Sequence, residues 1–364
     1  MKYLNFRDIS ISLLTSKAKY AYAKTMPSAR SMNSLIGILS VFCLLFATVP
    51  VTALAETITI KFPHALAPTT PKGLGANYFK KIVEQRLPGK VVIEVYPSSS
   101  LMNDQTSLEA LAFGEVQMIA ISLSKLDRLT QRFQIFDLPF LFADIGEVEV
   151  FQESSAGRNL LTELDDRGIK GLQYWHNGTK QLSAGNPLRV PGDAKGLKFR
   201  IMDSDVLVAQ FRAIGGNPQK MPYSEVYQAL QMGAIDAQEN TWSNIYSSKL
   251  FEVQEFITES NHGYIGYLVA VNTGFWRDLP DDVRSVLDQA MEETTAYVNS
   301  TALAVNEKAR DEVLASGKNT VIELSAEQRA QWRAAMRPVW DQFAEGIGPE
   351  LLEAADARIA PIDR

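Results

Sequence analysis

Residues 57–121 read TITIKFPHALAPTTPKGLGANYFKKIVEQRLPGKVVIEVYPSSSLMNDQTSLEALAFGEVQMIAI, and two hydrophobic periods alternate along them. Thr57 to Phe62 alternates apolar and polar residues as a half-buried strand does. Thr70-Pro71 then opens a helix through Arg86, with proline at the first turn, where its missing N–H costs nothing. After the Pro88-Gly89 break, Val91 to Tyr96 predicts a second strand, Asp104 to Phe113 a helix stopped by Gly114, and Val116 to Ile121 a third strand. This β-α-β-α-β order predicts an α/β sheet with right-handed crossovers and helices on both faces.

Outward from this stretch, the dense aromatic run Ile135 to Phe142 reads as buried structure. Asp144 to Asp166 reads as helix, Ile169 to Trp175 as strand and Leu197 to Ile201 as a short strand before a helix capped at Asp203-Ser204-Asp205. Pro222 to Met232 predicts a helix ended by Gly233, and Gly263 to Val271 a strand. From Pro280 a long amphipathic helix is expected to about Ser316, then a strand near Thr320 to Leu324 and further helices.

The chain has 364 residues with 46% hydrophobic and 21% charged content, which suits two ordinary globular domains. No charged residue occurs from Ser31 to Ala55, and Leu35 to Val51 is strongly apolar. With Arg30 before it and Ala53-Leu54-Ala55 after it, residues 1–55 read as a cleaved signal peptide, with Met26 as an alternative start and an uncleaved anchor as the competing reading. Cleavage removes six basic residues and one acid, and leaves a formal charge of −11 over 309 residues. Such an acidic surface, without a Lys/Arg cluster, excludes nucleic acid as a natural partner. The single Cys43 excludes a disulfide framework.

His64, His176 and His262 show no metal-ligand spacing, and neither a Walker A loop nor a Gly-x-Ser-x-Gly elbow occurs. No cofactor and no metal is expected. Gly73-Leu74-Gly75 lies inside the first predicted helix and reads as close packing.

The segments that can carry chemistry sit at strand ends, where open α/β sheets assemble ligand sites. Arg200 ends an apolar strand, so its planar fork suits a carboxylate; a surface pair with Asp203 or Asp205 is the plainer alternative. Lys180 lies in a Gly-Thr-Lys-Gln turn and reads equally as a solvated lysine, and Asn240 equally as a helix cap.

Five motifs in order, Tyr96-Pro97-Ser98-Ser99-Ser100-Leu101, His176-Asn177-Gly178-Thr179-Lys180-Gln181, Gly196-Leu197-Lys198-Phe199-Arg200, Tyr223 to Gln231 (YSEVYQALQ) and Gln238-Glu239-Asn240, change the weighing. Together they resemble the substrate-binding proteins of tripartite ATP-independent periplasmic (TRAP) transporters, of the DctP type. The resemblance implies an α/β two-domain periplasmic binding protein of Venus-flytrap form, with mixed sheets, crossing strands and a long domain-spanning helix. It implies domains over 56–177 plus 266–305 and over 178–265 plus 306–364, a small organic anion as ligand, most naturally a C4-dicarboxylate, and membrane permease subunits as partners.

By the same resemblance Arg200 is the carboxylate clamp, Asn240 the cleft asparagine and Lys180 the second cation, where sialic-acid-binding members carry arginine. Tyr223 covers the ligand, Ser122 and Lys125 form a cleft edge, His64 and Lys72 lie on the opposing rim, and Trp242 belongs to the core. Other acids, a sensory partner, or an exported enzyme using His64 or His176 as general base remain as alternatives.

Overall fold

The computed structural model describes residues 57–356, so the signal-peptide reading of residues 1–55 lies outside the described residues. Eleven strands form three sheets. β1 (Ile58–Pro63) and β2 (Val91–Tyr96) pair in parallel through the Pro71–Arg86 helix, in register Ile58 to Val91. Thr70 caps that helix by accepting from the Gly73 N–H, with Pro71 in its first turn.

β3 (Met118–Ser122) does not extend this pair; it joins an antiparallel sheet of order β3-β10-β4, with β4 at Ile169–Thr179 and β10 at Tyr264–Asn272. The expected parallel run is therefore split, because β10 returns from the far end of the chain to bond β3. Gly114 ends the preceding helix with φ +77°, and Gly233 does the same with φ +69° after the Val226–Gln231 helix, a backbone region costly for any residue with a Cβ.

The third sheet has order β11-β9-β5-β8-β6-β7. Its strands are β5 (Gln181–Ala184), β6 (Lys198–Ile201), β7 (Asn217–Lys220), β8 (Ala237–Asn240), β9 (Phe256–Glu259) and β11 (Thr320–Glu323). Between the three- and six-stranded sheets the chain passes directly from β4 into β5 through Lys180 and from β9 into β10 through residues 260–263, and again from β10 to β11 by way of the Asp281–Ala315 helix. The mixed-sheet, crossing-strand α/β architecture is the one expected.

The segment expected as one helix over Asp144 to Asp166 is instead broken into Ile145–Gln152 and Ser155–Leu160, each with its own cap, Asp144 and Ser154. The aromatic run is buried as expected, Ile135, Phe136, Leu138 and Leu141 each being at most 3% exposed.

The Asp281–Ala315 helix has 35 residues and so spans about 50 Å. Val283, Leu287, Met291, Thr294, Val298 and Ala302 form its buried stripe at the spacing of one helix face. Polar groups tie it to β4: Thr295 accepts from Trp175 Nε1 at 3.0 Å, Asn299 Oδ1 accepts from the His176 N–H at 2.9 Å, and Asn306 Nδ2 donates to Asn177 O at 2.6 Å. Asn306 Oδ1 also accepts from the Ser243 N–H, and Arg310 pairs with Glu259 at the end of β9, so the helix braces both sheet regions. A Cβ on Gly75 would lie 2.4 Å from Val298 Cγ2 and 3.0 Å from the Trp175 ring, which is the close packing that Gly73-Leu74-Gly75 signals.

Candidate ligand-binding site

Arg200 lies on β6 between β7 and β8, paired in register with Gln219 and Gln238. It is 2% exposed, and it does not pair with Asp203 or Asp205; those acids are taken by Arg128 and Lys220 at the surface. Nε and Nη2 both donate to Met221 O, at 3.1 and 2.9 Å. One edge of the guanidinium is thereby locked, and the Nη1–Nη2 end keeps three N–H donors for a second acceptor. Burial lowers its pKa to about 10, which leaves it charged at neutral pH. Its Cζ lies 5.7 Å from the centre of the Tyr223 ring.

Beside it is a small cavity of about 30 Å³, room for about one or two waters. Lys72, Asp104, Ser122 and Lys125 line it from the side of β1–β4; Arg200, Tyr223, Asn240 and Asn244 line it from the side of the six-stranded sheet. Tyr267 of β10 completes the wall.

Lys72 is the most strained of these charges. It is 1% exposed, donates to Ala120 O at 3.0 Å, and lies 4.1 Å over the Tyr267 ring, whose hydroxyl accepts from Asn177 Nδ2 at 2.7 Å. Lys72 is also the second residue of its helix, where the helix dipole disfavours a cation. Burial pushes its pKa down to about 8. A buried ammonium without an ion-pair partner among the described residues is poised for an anion.

Lys125 pairs with Asp104 at 2.7 Å. Burial pushes the Asp104 carboxyl up, but Lys125 and then Lys72 outweigh it and hold the group well below the usual carboxylate range. Ser122 donates its hydroxyl to Met202 Sδ at 3.3 Å. Asn240 ends β8; its Oδ1 accepts from Asn244 Nδ2 at 2.7 Å, and Thr241, not Asn240, occupies the N-cap position of the next helix, without a side-chain capping bond. Tyr223 donates its hydroxyl to Asn244 O at 3.1 Å, with Ser248 Oγ at 2.8 Å.

Two expected site residues sit elsewhere. Lys180 is absent from the cavity wall: it is 1% exposed and its Nζ bonds Glu239 Oε1 at 2.9 Å, with Asp137 at 4.0 Å. Its Nζ faces Glu239 inside the protein, and the lysines that line the cavity with Arg200 are Lys72 and Lys125. His64 is buried behind the wall, edge-on to Phe62, with neither ring nitrogen in a well-formed hydrogen bond. Burial and then Lys72 lower its pKa to about 3, so it is neutral. His176 is also off the cavity, with Nδ1 2.6 Å from the Tyr264 hydroxyl. Trp242 is core, as expected.

Asp104, Asn244 and Tyr267 are the wall residues with polar side-chain groups that sequence reasoning missed, beside the apolar Ala65, Leu66, Met202 and Ile265. Asp104 reads as a helix start and Tyr267 as one of a run of buried strand residues, while Asn244 carries no sign of its own in the sequence.

A cleft between two α/β regions, crossed by two strand connections and braced by one long helix, defines a solute receptor rather than a fold with a built-in nucleophile. Residues 62–346 match the family described as bacterial extracellular solute-binding protein, family 7 (DctP), and the chain belongs to that family. It is 50% identical over 303 residues, 83% of this chain and 90% of the relative, to the C4-dicarboxylate-binding periplasmic protein DctP of Shewanella loihica. A TRAP periplasmic solute-binding protein of Shewanella oneidensis, crystallised with succinate, shares 48% identity at TM-score 0.82, over 83% of this chain and 99% of that one. A TRAP protein of Pseudomonas aeruginosa with bound L-malate shares 46% at TM-score 0.77, over 78% of this chain and 99% of that one.

Proposed function

We propose that this chain is the extracytoplasmic receptor of a TRAP transporter, capturing a C4-dicarboxylate such as succinate, malate or fumarate and handing it to membrane permease subunits. The observation that carries this is the charge around the cavity. Lys72, Lys125 and Arg200 bring three positive charges against the one negative charge of Asp104, a surplus of two. A C4-dicarboxylate carries two negative charges at neutral pH and cancels that surplus; a monocarboxylate cancels half of it. Charge-assisted bonds contribute about 1.5–3 kcal/mol each, so four of them, less the cost of closure, reach the about −8 kcal/mol of a micromolar receptor.

The lobes of this reading are residues 56–177 with 266–305 and 178–265 with 306–364, hinged where Lys180 and residues 260–263 cross. A ligand that touches Lys72 and Lys125 on one lobe and Arg200 and Asn240 on the other does so only when they are shut, so it shifts the hinge by its differential affinity. Residues 1–55 act as the export signal, and the place of action is the periplasm, as in the relatives' names. An enzyme reading has no support from His64 or His176, since neither lines the cavity.

The test is a thermal-shift screen followed by calorimetry, comparing succinate, malate and fumarate with lactate, pyruvate and gluconate. Selective binding of the dianions is expected. Equal binding of the monoanions would overturn the charge argument, and chemical conversion of a bound acid would favour the enzyme.

A further inference from the structure

A second, larger cavity lies against the first. It measures about 400 Å³, and the two share Ala65, Asp104, Lys125 and Tyr223 as lining residues. Ala65 is small, and Tyr223 is pinned through its hydroxyl. Asp104 and Lys125 meet across 2.7 Å with side chains only 7% and 13% exposed, and their ion pair lines both compartments.

The outer compartment suits the continuation of a diacid. Leu108, Leu129 and Pro222 give it apolar wall, and Arg128 and Arg167 give it cations. Arg128 is already paired with Asp203 at 2.9 Å, whereas the Arg167 side chain enters no ion pair among the described residues. A chain of methylenes ending in a carboxylate matches this lining, and Asp104 and Lys125 are the charged pair on the boundary the two cavities share.

We propose that the Asp104–Lys125 ion pair is the specificity-determining wall that fixes the length of the dicarboxylate, and that removing it opens the outer cavity to longer diacids. The inference rests on the dicarboxylate reading above. The inner cavity, at about 30 Å³, takes a four-carbon diacid only after the cleft widens, and the wall acts in that liganded state. One methylene in a hydrophobic pocket changes affinity by about 10–200-fold, so a pair that stays in place there separates four-carbon from six-carbon acids.

The test variant replaces both partners, Asp104→Ser with Lys125→Ser. It removes one positive and one negative charge, so Lys72 and Arg200 keep the surplus of two; because Lys125 also touches the ligand in the reading above, every diacid should bind more weakly, and only the adipate-to-succinate ratio reads the wall. Replacing both partners also avoids leaving a buried charge alone.

Calorimetry with succinate, glutarate and adipate reads the outcome. In the native protein adipate should bind at least about 100-fold more weakly than succinate, and in the double variant this ratio should shrink by about tenfold or more. An unchanged ratio in a folded double variant overturns the wall. So does a native protein that binds adipate within about threefold of succinate, a measurement that requires no variant. If the native protein binds succinate and the ratio stays fixed, only the wall falls; if it binds no diacid of any length, the dicarboxylate reading falls and the wall with it.

Discussion

Lys180 Nζ lies 2.9 Å from Glu239 Oε1, with both side chains about 1% exposed, at the crossing from β4 to β5. Glu239 Oε2 lies 2.8 Å from His262 Nε2, and His262 Nδ1 lies 2.7 Å from Ser260 Oγ on the other crossing. The two connections are thus joined by one buried polar chain. Burial pushes Glu239 up, but Lys180 and His262 outweigh it and hold the carboxyl well below the usual carboxylate range.

Glu239→Gln should therefore leave Lys180 as a buried charge without its near partner. The expected loss is about 3–5 kcal/mol of unfolding free energy, read by urea denaturation. A loss below about 1 kcal/mol would show the pair to be dispensable.

Arg200→Lys keeps the charge and removes the fork. A lysine cannot hold Met221 O by one edge and present a second edge to a carboxylate. Succinate affinity should fall by about 100-fold in calorimetry, and a dissociation constant within about threefold of the native value would remove Arg200 from the role of clamp.

Lys72 sets an alkaline limit on binding. Its pKa of about 8 belongs to the empty site, and a bound dianion favours the charged form. Above pH 8 the empty protein has lost this proton, so binding must take one up, and affinity should drop by about tenfold per pH unit. Calorimetry at pH 8.5 in two buffers of different ionisation enthalpy reads the proton directly; equal apparent enthalpies would contradict the assignment. Lys72→Met should remove the dependence.

His64 and His176 set an acid limit on the fold. Burial holds their pKa values at about 3 and about 4, against about 6.5 in the unfolded chain. The unfolded state therefore binds more protons below pH 6.5, and stability falls as pH drops, by about 1.4 kcal/mol per pH unit for each ring. The loss runs from about pH 6.5 down to the two folded values. Burial also lowers His262, which adds to the slope with the same sign. Denaturation midpoints between pH 7 and 4.5 check this, and His64→Phe should flatten the slope by about a third to a half.

Gly75→Ala tests the helix packing. Alanine would favour the helix by about 1 kcal/mol in isolation, but its methyl meets the fully buried Val298 and Trp175. A net destabilisation of about 1–3 kcal/mol is expected, seen as a lower melting temperature. A raised melting temperature would show that Val298 gives way.

The sequence made parts of this molecule plain and hid others for identifiable reasons. Strands with apolar alternation, such as Val91–Tyr96, and the long stripe from Val283 to Ala302 announce themselves through period alone. β8 does not, because its buried side chains Gln238, Glu239 and Asn240 are polar and look like loop. Arg200 was legible as a charge closing an apolar strand. Lys180 was not legible as a structural group, since its partner lies 59 residues away and only the fold brings them together. Asp104 carried no local sign of its link to Lys125, which comes from a different sheet connection.

The surplus of positive charge around the inner cavity has a consequence for traffic at the membrane. Like charges crowded into a shut, vacant receptor repel one another, whereas the same receptor with its cargo is neutralised and at rest. Under the receptor reading proposed above, the penalty for shutting without cargo favours an open vacant receptor, and a permease that recognises the shut outline would be spared futile visits from it. On that reading, electrostatic self-repulsion among Lys72, Lys125 and Arg200 is itself a quality check on delivery.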